Sequence, residues 1–385
     1  MEDSSRQNET SNLLDDYWDI IIGLTSIVLA ILLHKSGYTS LSTLFAAIGI
    51  GALSLTVSEV AEIISERLQE PYGSFVLTFS AVIVEIILLY IILLQAYGNP
   101  DVIETVKGGI ISAVIVDMNV LLGLAVFLGG LKFREQDHNK ETSSAYTTIL
   151  FVTGVALLVP SLLNESRHAT EVVAKVSYII AGLLMVFYIF IIIFQTKTHT
   201  HFFKQTARSR MFKIRNKSDE DDYDDEHNNS YIFDRFNNMG NFISIFVLIA
   251  IIAIGAEVFA TDGIIIAKEY GISPALSGLF IAIVAVAPEI ATAIKAAKND
   301  EIQRVVNIAM GASTVSILLT VPVLLALAYM SGINLMLDFN TLEIGALILT
   351  IILAWKTTDE GHTNYFEGIS HLMFFAAFAI IAAYY

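Results

Sequence analysis

The sequence predicts an all-α polytopic membrane protein, with one extra N-terminal transmembrane helix followed by two inverted-topology five-helix repeats. Three observations lead there. Of 385 residues, 55% are hydrophobic and 16% charged, with a mean hydropathy of +0.66, whereas a soluble chain carries about 25% charged residues to cover its domains. Apolar runs recur along the whole length, and about eleven of them reach the roughly 20 residues needed to cross a hydrocarbon core. The two halves also repeat one order of acidic and aromatic-glycine features.

Residues 1–16 form a polar, acidic tail without the basic start and short apolar core of a cleaved signal. The first apolar run, 17–35, is therefore read as a retained membrane helix. Further spans are expected near 40–66, 72–97, 108–131, 145–163 and 173–196, which make up the first repeat (40–196). Those near 238–262, 275–297, 304–330, 341–356 and 366–385 make up the second (238–385). Tyr17, Trp18, Trp355, Tyr384 and Tyr385 stand at span ends, where aromatic rings anchor at the interface. Between the repeats, the 197–237 loop begins with Lys197, Lys204, Arg208, Arg210, Lys213, Arg215 and Lys217 and no acid. By the positive-inside rule it is cytoplasmic. Connections holding Lys132, Arg134 and Lys140, and Lys295, Lys298 and Arg304, fall on the same side. The N-terminus is then expected inside and the C-terminus outside.

The repeat shows when SEVAEIISERLQEPYGSFVLTFSAVIVEIILL, from Ser58, is laid beside AEVFATDGIIIAKEYGISPALSGLFIAIVAVAPEIATAI, from Ala256. Each has a Glu-Val pair (Glu59, Glu257), then Tyr-Gly (Tyr72, Tyr270), then a lone glutamate deep in an apolar helix (Glu85, Glu289), with six more residues between the acids of the second. Five helices per half is an odd number, so the second half enters the membrane from the opposite side, as in many secondary transporters.

A carboxylate at the bilayer centre costs about 2.5 to 3.5 kcal/mol on insertion scales, so it needs a partner or a use. Glu85 and Glu289 are the candidates for binding cation and proton in turn. Desolvation favours the neutral form of such a group and a bound cation its ionised form. The alternative is a protonated acid bonded to nearby backbone. Glu59, Glu62, Asp117, Glu257 and Asp262 are candidate supporting acids along the ion path. Glu59, Glu62 and Glu66 share one helix face and could line a vestibule, or Glu62 and Glu66 could pair with Arg67 at the interface. Asp117 adjoins Asn119 and serves either the ion path or an interhelical hydrogen bond. Pro288 removes a helix hydrogen bond beside Glu289 and frees a carbonyl, and a helix broken in this way is expected there, as in transporters where broken helices coordinate cations. Gly73, Ser74, Ser277 and Gly278 are small residues that permit close helix packing, and Gly311-Ala312-Ser313-Thr314 adds candidate hydroxyl ligands in Ser313 and Thr314. Carboxylate, carbonyl and hydroxyl oxygens are hard ligands that suit Ca²⁺ or Na⁺.

Other chemistries are excluded or unsupported. Without cysteine, thiolate metal sites, disulfides and thiol catalysis are absent. Seven of the eight histidines lie in or beside connections, leaving His371 within an apolar segment, so zinc or copper transport ranks low. His199 and His201 read as an ordinary interface pair. Residues 219–226 hold seven acids in eight positions but lack the glycine and terminal glutamate of an EF-hand loop, so they read as an acidic linker. There is no Walker motif, His-Glu-x-x-His or Gly-x-Ser-x-Gly. The net charge of −16 excludes a nucleic-acid surface. No cofactor and no obligate protein partner is expected. The partners are inorganic cations, protons and the lipid bilayer.

The run from Glu70 through Pro71, Tyr72, Gly73 and Ser74 to Glu85, the Gln195 to His199 segment, the acidic loop and Pro288-Glu289 together resemble a ChaA-type calcium/proton antiporter of the cation/proton exchanger branch of the calcium:cation antiporter superfamily. The resemblance spans about residue 40 to the end. It implies eleven helices, the first being extra, two inverted repeats, and paired central glutamates carried here onto Glu85 and Glu289. Plant and fungal members of the branch carry Gly-Asn-Ala-Thr/Ala-Glu in each repeat, whereas Ala81-Val-Ile-Val and Val284-Ala-Val-Ala-Pro precede the acids here. Val315 stands about where those relatives have glutamine. The expected function is export of Ca²⁺, with Na⁺ or K⁺ as further cargo, in exchange for H⁺, in a prokaryotic cell membrane. A cation channel using the same acids for selectivity is the alternative, and an intramembrane aspartyl-type enzyme a weaker one.

Overall fold

A computed structural model describes residues 2–68, 72–97, 99–165, 170–203 and 231–384. Each apolar run becomes a helix, because within a bilayer backbone groups must be satisfied inside the segment. In order these are α1 (Glu2–Lys35), α2 (Thr39–Arg67), α3 (Tyr72–Leu94), α4 (Pro100–Val116), α5 (Leu122–Phe133), α6 (Lys140–Glu165) and α7 (Thr170–Ile193). After a short α8 (Ile232–Arg235) come α9 (Asn238–Tyr270), α10 (Pro274–Lys298), α11 (Ile302–Val315), α12 (Val321–Met330), α13 (Thr341–Thr358) and α14 (Tyr365–Tyr384). Ten spans among the described residues are long and apolar enough to cross a membrane, and α3 adds the apolar stretch Phe79–Leu94. The chain is a multi-pass integral membrane protein.

The apolar part of α1 begins where the helix breaks at Tyr17. Two spans are longer than the apolar pattern indicates. α4 starts at Pro100 rather than near 108, because Lys107 is neutralised by Glu104 (2.6 Å) and Asp338 (3.0 Å). α9 runs eight residues past Asp262 and stops at Gly271, whose φ of 64° suits a residue without a side chain.

Two spans carry a π-helical turn at their middle: Asp117–Leu121 between α4 and α5, and Ser316–Thr320 between α11 and α12. Such turns insert one residue into the helical register and often mark functional sites. The helix α10, by contrast, continues through Pro288, so the break expected there is absent. Gly278 lies so close to the backbone of Gly108 and Gly109 that a Cβ would strike it. The small residues therefore bring α10 against α4.

Loop contacts define the two ends of the bundle. At one end Lys132 Nζ donates to the Lys298 carbonyl (2.8 Å), Gln136 Nε2 to that of Ala297 (3.0 Å), and β1 (Glu135–Asp137) pairs antiparallel with β2 (His362–Asn364). Arg304 reaches Glu62 there, Arg67 Nη2 donates to the Asp234 carbonyl (2.6 Å), and Tyr17 accepts from the Ile232 amide (2.7 Å). At the other end Ser273 Oγ donates to the Ala382 carbonyl (2.5 Å), and His34 meets Asp262. Tyr17 and Ala382 thus mark opposite ends.

Candidate cation-binding site

Glu85, on α3, and Glu289, on α10, lie deep among apolar neighbours because their helices have no other acid within several turns. Glu85 is 8% exposed. Its Oε2 accepts hydrogen bonds from Ser316 Oγ (2.8 Å) and Thr320 Oγ1 (3.2 Å). Those two hydroxyls open and close the second π-turn, one turn apart on the same face. The other oxygen, Glu85 Oε1, is buried with no partner. Glu289 Oε2 is also buried without a partner, and Glu289 lines a small cavity of about 10 Å³ with Ser54, Ser58, Ser80, Val84 and Pro288. That is room for about one water or one bare ion.

A third acid joins them. Asp117, at the start of the first π-turn, is 1% exposed. Its Oδ2 accepts from Ser313 Oγ (3.1 Å), while Oδ1 is buried with no partner. Asp117 interacts electrostatically with both Glu289 and Glu85, and the two glutamates interact with each other. Thr314 Oγ1 is likewise buried and unpartnered. Native interiors leave few polar atoms unsatisfied, and each exception needs an explanation. Four buried oxygens, on α3, α10 and the two π-turned spans, thus lack a hydrogen-bond partner. Among the described residues, no three His, Asp or Glu side chains stand at metal-ligand spacing.

The remaining candidates divide between the ends. Glu59 is exposed and accepts from Tyr231 Oη (3.0 Å). Burial and the neighbouring Glu59 and Asp19 carboxylates push the Tyr231 phenol up, which keeps it a donor. Glu62 pairs with Arg304, which also reaches Glu301 (3.6 Å). The pairing of Glu62 with Arg67 is not formed, because Arg67 binds the Phe236 and Asp234 carbonyls. Glu257 is exposed on α9. Asp262 is buried but not beside the central acids: His34 Nδ1 (2.9 Å) and Ser42 Oγ hold it at the other end. The side chains of Glu66, Gly73 and Ser74, residues Glu70 and Pro71, and the runs 204–217 and 219–226 lie outside the described residues.

Sequence reasoning did not single out Ser316 and Thr320. Their spacing of four, opposite a lone membrane glutamate, was the available signal. Sequence reasoning gave Asp117 a supporting place on the ion path, and the structure buries it with Ser313 as its hydrogen-bond donor.

The chain matches the sodium/calcium exchanger protein family over residues 37–197 and 240–384. It is 28% identical to the sodium-potassium/proton antiporter ChaA of Escherichia coli (strain K12), over 87% of each chain. It is 24% identical to a Ca²⁺/H⁺ antiporter of Synechocystis sp. (strain ATCC 27184 / PCC 6803 / Kazusa), over 77% of this chain and 78% of that one. The fold superposes on native YfkE with a TM-score of 0.76 at 18% identity, over 95% of this chain and 100% of that one. For the H⁺/Ca²⁺ exchanger CAX the TM-score is 0.66 at 11% identity, over 96% and 91%. With the match over most of its length, the conclusion is plain: the chain belongs to the sodium/calcium exchanger protein family.

Proposed function

We propose that this chain is a secondary antiporter that exports Ca²⁺, with Na⁺ and K⁺ as further cargo, in exchange for protons. Glu85 and Glu289 bind the cation in one phase of the cycle and protons in the other. The observation that carries this is the pair of buried, partnerless carboxylate oxygens, Glu85 Oε1 and Glu289 Oε2, on helices from the two halves. A buried carboxylate is tolerated when a proton or a cation neutralises it, so the pair is stable in either loaded state and unfavourable empty. That rule alone couples the two fluxes. Asp117, Ser313, Thr314 and the Ser316 and Thr320 hydroxyls supply further hard oxygens and orient the pair.

The two halves, 40–196 and 238–385, act as inverted repeats that rock about this fixed site and open it to one side at a time. Glu59 and Glu62 line the approach from the end that bears Lys132, Lys298 and Arg304, which the positive-inside rule makes cytoplasmic. The N-terminus is then inside, and Glu257 serves the outer approach. The membrane is a prokaryotic cell membrane, a reading supported by the bacterial sources of two of the relatives.

The test is Ca²⁺-dependent proton flux in proteoliposomes for Glu85→Gln and Glu289→Gln at matched protein levels. Glutamine keeps size and one oxygen but neither titrates nor neutralises a divalent ion. Each substitution is expected to cut exchange by about 100-fold or more, in line with the roughly 3 kcal/mol or more at stake for a buried charged group. Proton-coupled flux near the unsubstituted rate in either variant would falsify the assignment.

A further inference from the structure

A second buried polar cluster shares the Asp117 turn. Asn119 is 0% exposed, Thr350 0% and His371 1%. Asn119 Nδ2 donates to the Ile115 carbonyl (3.0 Å) and to Thr350 Oγ1 (3.0 Å), and Asn119 Oδ1 lies 3.0 Å from His371 Nδ1. Both amide hydrogens are therefore used, so Oδ1 accepts and His371 Nδ1 carries the hydrogen. His371 Nε2 is left as an acceptor 2.9 Å from Thr357 Oγ1, a hydroxyl that also lies 3.0 Å from the Leu353 carbonyl and 3.2 Å from that of Ala354. The chain of bonds is complete at Asn119, and loss of one member strands a buried amide oxygen.

This cluster ties the π-turn to two helices, α13 through Thr350 and α14 through His371, that carry neither Glu85 nor Glu289. A π-turn shifts the helical register and so sets the direction in which the residues it contains point. Asp117 and Asn119 are two residues apart in that turn, and they face different partners: Asp117 faces Ser313, and Asn119 faces α13 and α14. Next along the span, Gly123 meets the Cβ of His371 and the Gly368 carbonyl so closely that a Cβ would stand 2.9 Å from the first. Backbone contact thus fixes the distance between α5 and α14, and the Asn119 bond fixes the rotation.

We infer that His371 is a positioning residue for the transport site: through Asn119 it sets the rotation of the Asp117 turn against the last helix. The inference rests on the proposal that Asp117 belongs to that site. A histidine that merely fills space makes a different ranking of variants. Asparagine can place an amide donor where Nδ1 stands and keep the bond to Asn119. Glutamine fills more of the ring's volume but reaches toward the Nε2 position and Thr357.

The experiment measures the Ca²⁺ concentration for half-maximal proton flux, and the maximal flux, in proteoliposomes of His371→Asn, His371→Gln and His371→Leu, with Asp117→Asn alongside. His371→Asn is expected within about twofold of the unsubstituted chain. His371→Gln and His371→Leu are expected to need about tenfold more Ca²⁺, with maximal flux held within about twofold, as for one lost buried hydrogen bond acting on site geometry. Equal losses in Asn and Gln, a better Gln than Asn, or unchanged half-saturation in all three overturns the inference. Should the leucine variant not fold, the Asn and Gln pair decides. An impaired Asp117→Asn beside unaffected His371 variants removes this inference alone, whereas an unaffected Asp117→Asn removes the place of Asp117 in the site and this inference with it.

Discussion

Glu85 and Glu289 occupy matching places in the two halves, yet their surroundings differ. Glu85 is held by two hydroxyls from the opposite half, Ser316 and Thr320. Glu289 lines the small cavity, and its buried Oε2 has no hydrogen-bond partner among the described residues. The two π-turns differ in the same sense. The first carries the acid Asp117 and is pinned through Asn119, whereas the second carries the hydroxyls that hold the opposite half's glutamate. A duplicated order of helices therefore does not give duplicated chemistry. In the proposed function, one carboxylate is pre-oriented and the other is left to be completed by its cargo.

The largest break in this asymmetry is the double substitution Ser316→Ala with Thr320→Val. Two hydrogen bonds to a carboxylate, each about 1 kcal/mol, favour the ionised Glu85 that a cation needs. Half-saturating Ca²⁺ in a proton-flux assay is expected to rise roughly 5- to 30-fold. Ser80→Ala is the matching change beside Glu289. Its hydroxyl donates to its own helix at Val76 (2.8 Å) rather than to the glutamate, so the same assay is expected to move less than about twofold. An equal effect of the two changes would show that the hydroxyls around Glu85 have no special part.

Smaller effects come from the approaches. Glu59→Gln and Glu257→Gln alter exposed charges at either side of the site, and each is expected to raise half-saturating Ca²⁺ about two- to fivefold at low salt. The effect should shrink at physiological ionic strength, where the Debye length is about 8 Å, so titration at two salt concentrations checks it.

The smallest effect concerns stability at the end bearing β1 and β2. Burial holds the His138 imidazole below its ordinary range, although the Thr358 carbonyl (3.1 Å) partly offsets this. Between the depressed folded value and the ordinary one near 6.5, the unfolded chain binds more protons, so stability falls as pH drops through about 6.5. Melting temperature in detergent is expected to decline over that interval, and His138→Gln to flatten the decline without changing flux at neutral pH.

The eleven apolar segments were legible because the bilayer demands about 20 apolar residues per helix, and each coincides with a helix. Glu85, Glu289 and Asp117 were legible for the same reason, as charges where charge is costly. What escaped sequence reading depends on partners far apart along the chain. Lys107 extends α4 into the membrane because Asp338 comes to meet it. Asp262 was legible as a buried acid along the ion path, but its partners His34 and Ser42, from the first two helices, were not. Ser316 and Thr320 offer only their spacing of four, a weak signal, since hydroxyls are common in membrane helices and commonly bond to their own backbone. The break assigned to Pro288 fell instead on the neighbouring spans, at turns whose sequences, DMNVL and SILLT, hold no proline.

The central claim, obligatory exchange of cation for proton, is tested most directly in sealed proteoliposomes of the unsubstituted chain carrying an imposed pH gradient and a clamped membrane potential. Ca²⁺, Na⁺, K⁺ and Mg²⁺ are added in turn while internal pH and Ca²⁺ are both followed. The expected result is that Ca²⁺ dissipates the pH gradient as it moves the opposite way, and that neither flux proceeds without the other. Ca²⁺ movement as a conductive current with the pH gradient left intact would contradict exchange and favour a channel.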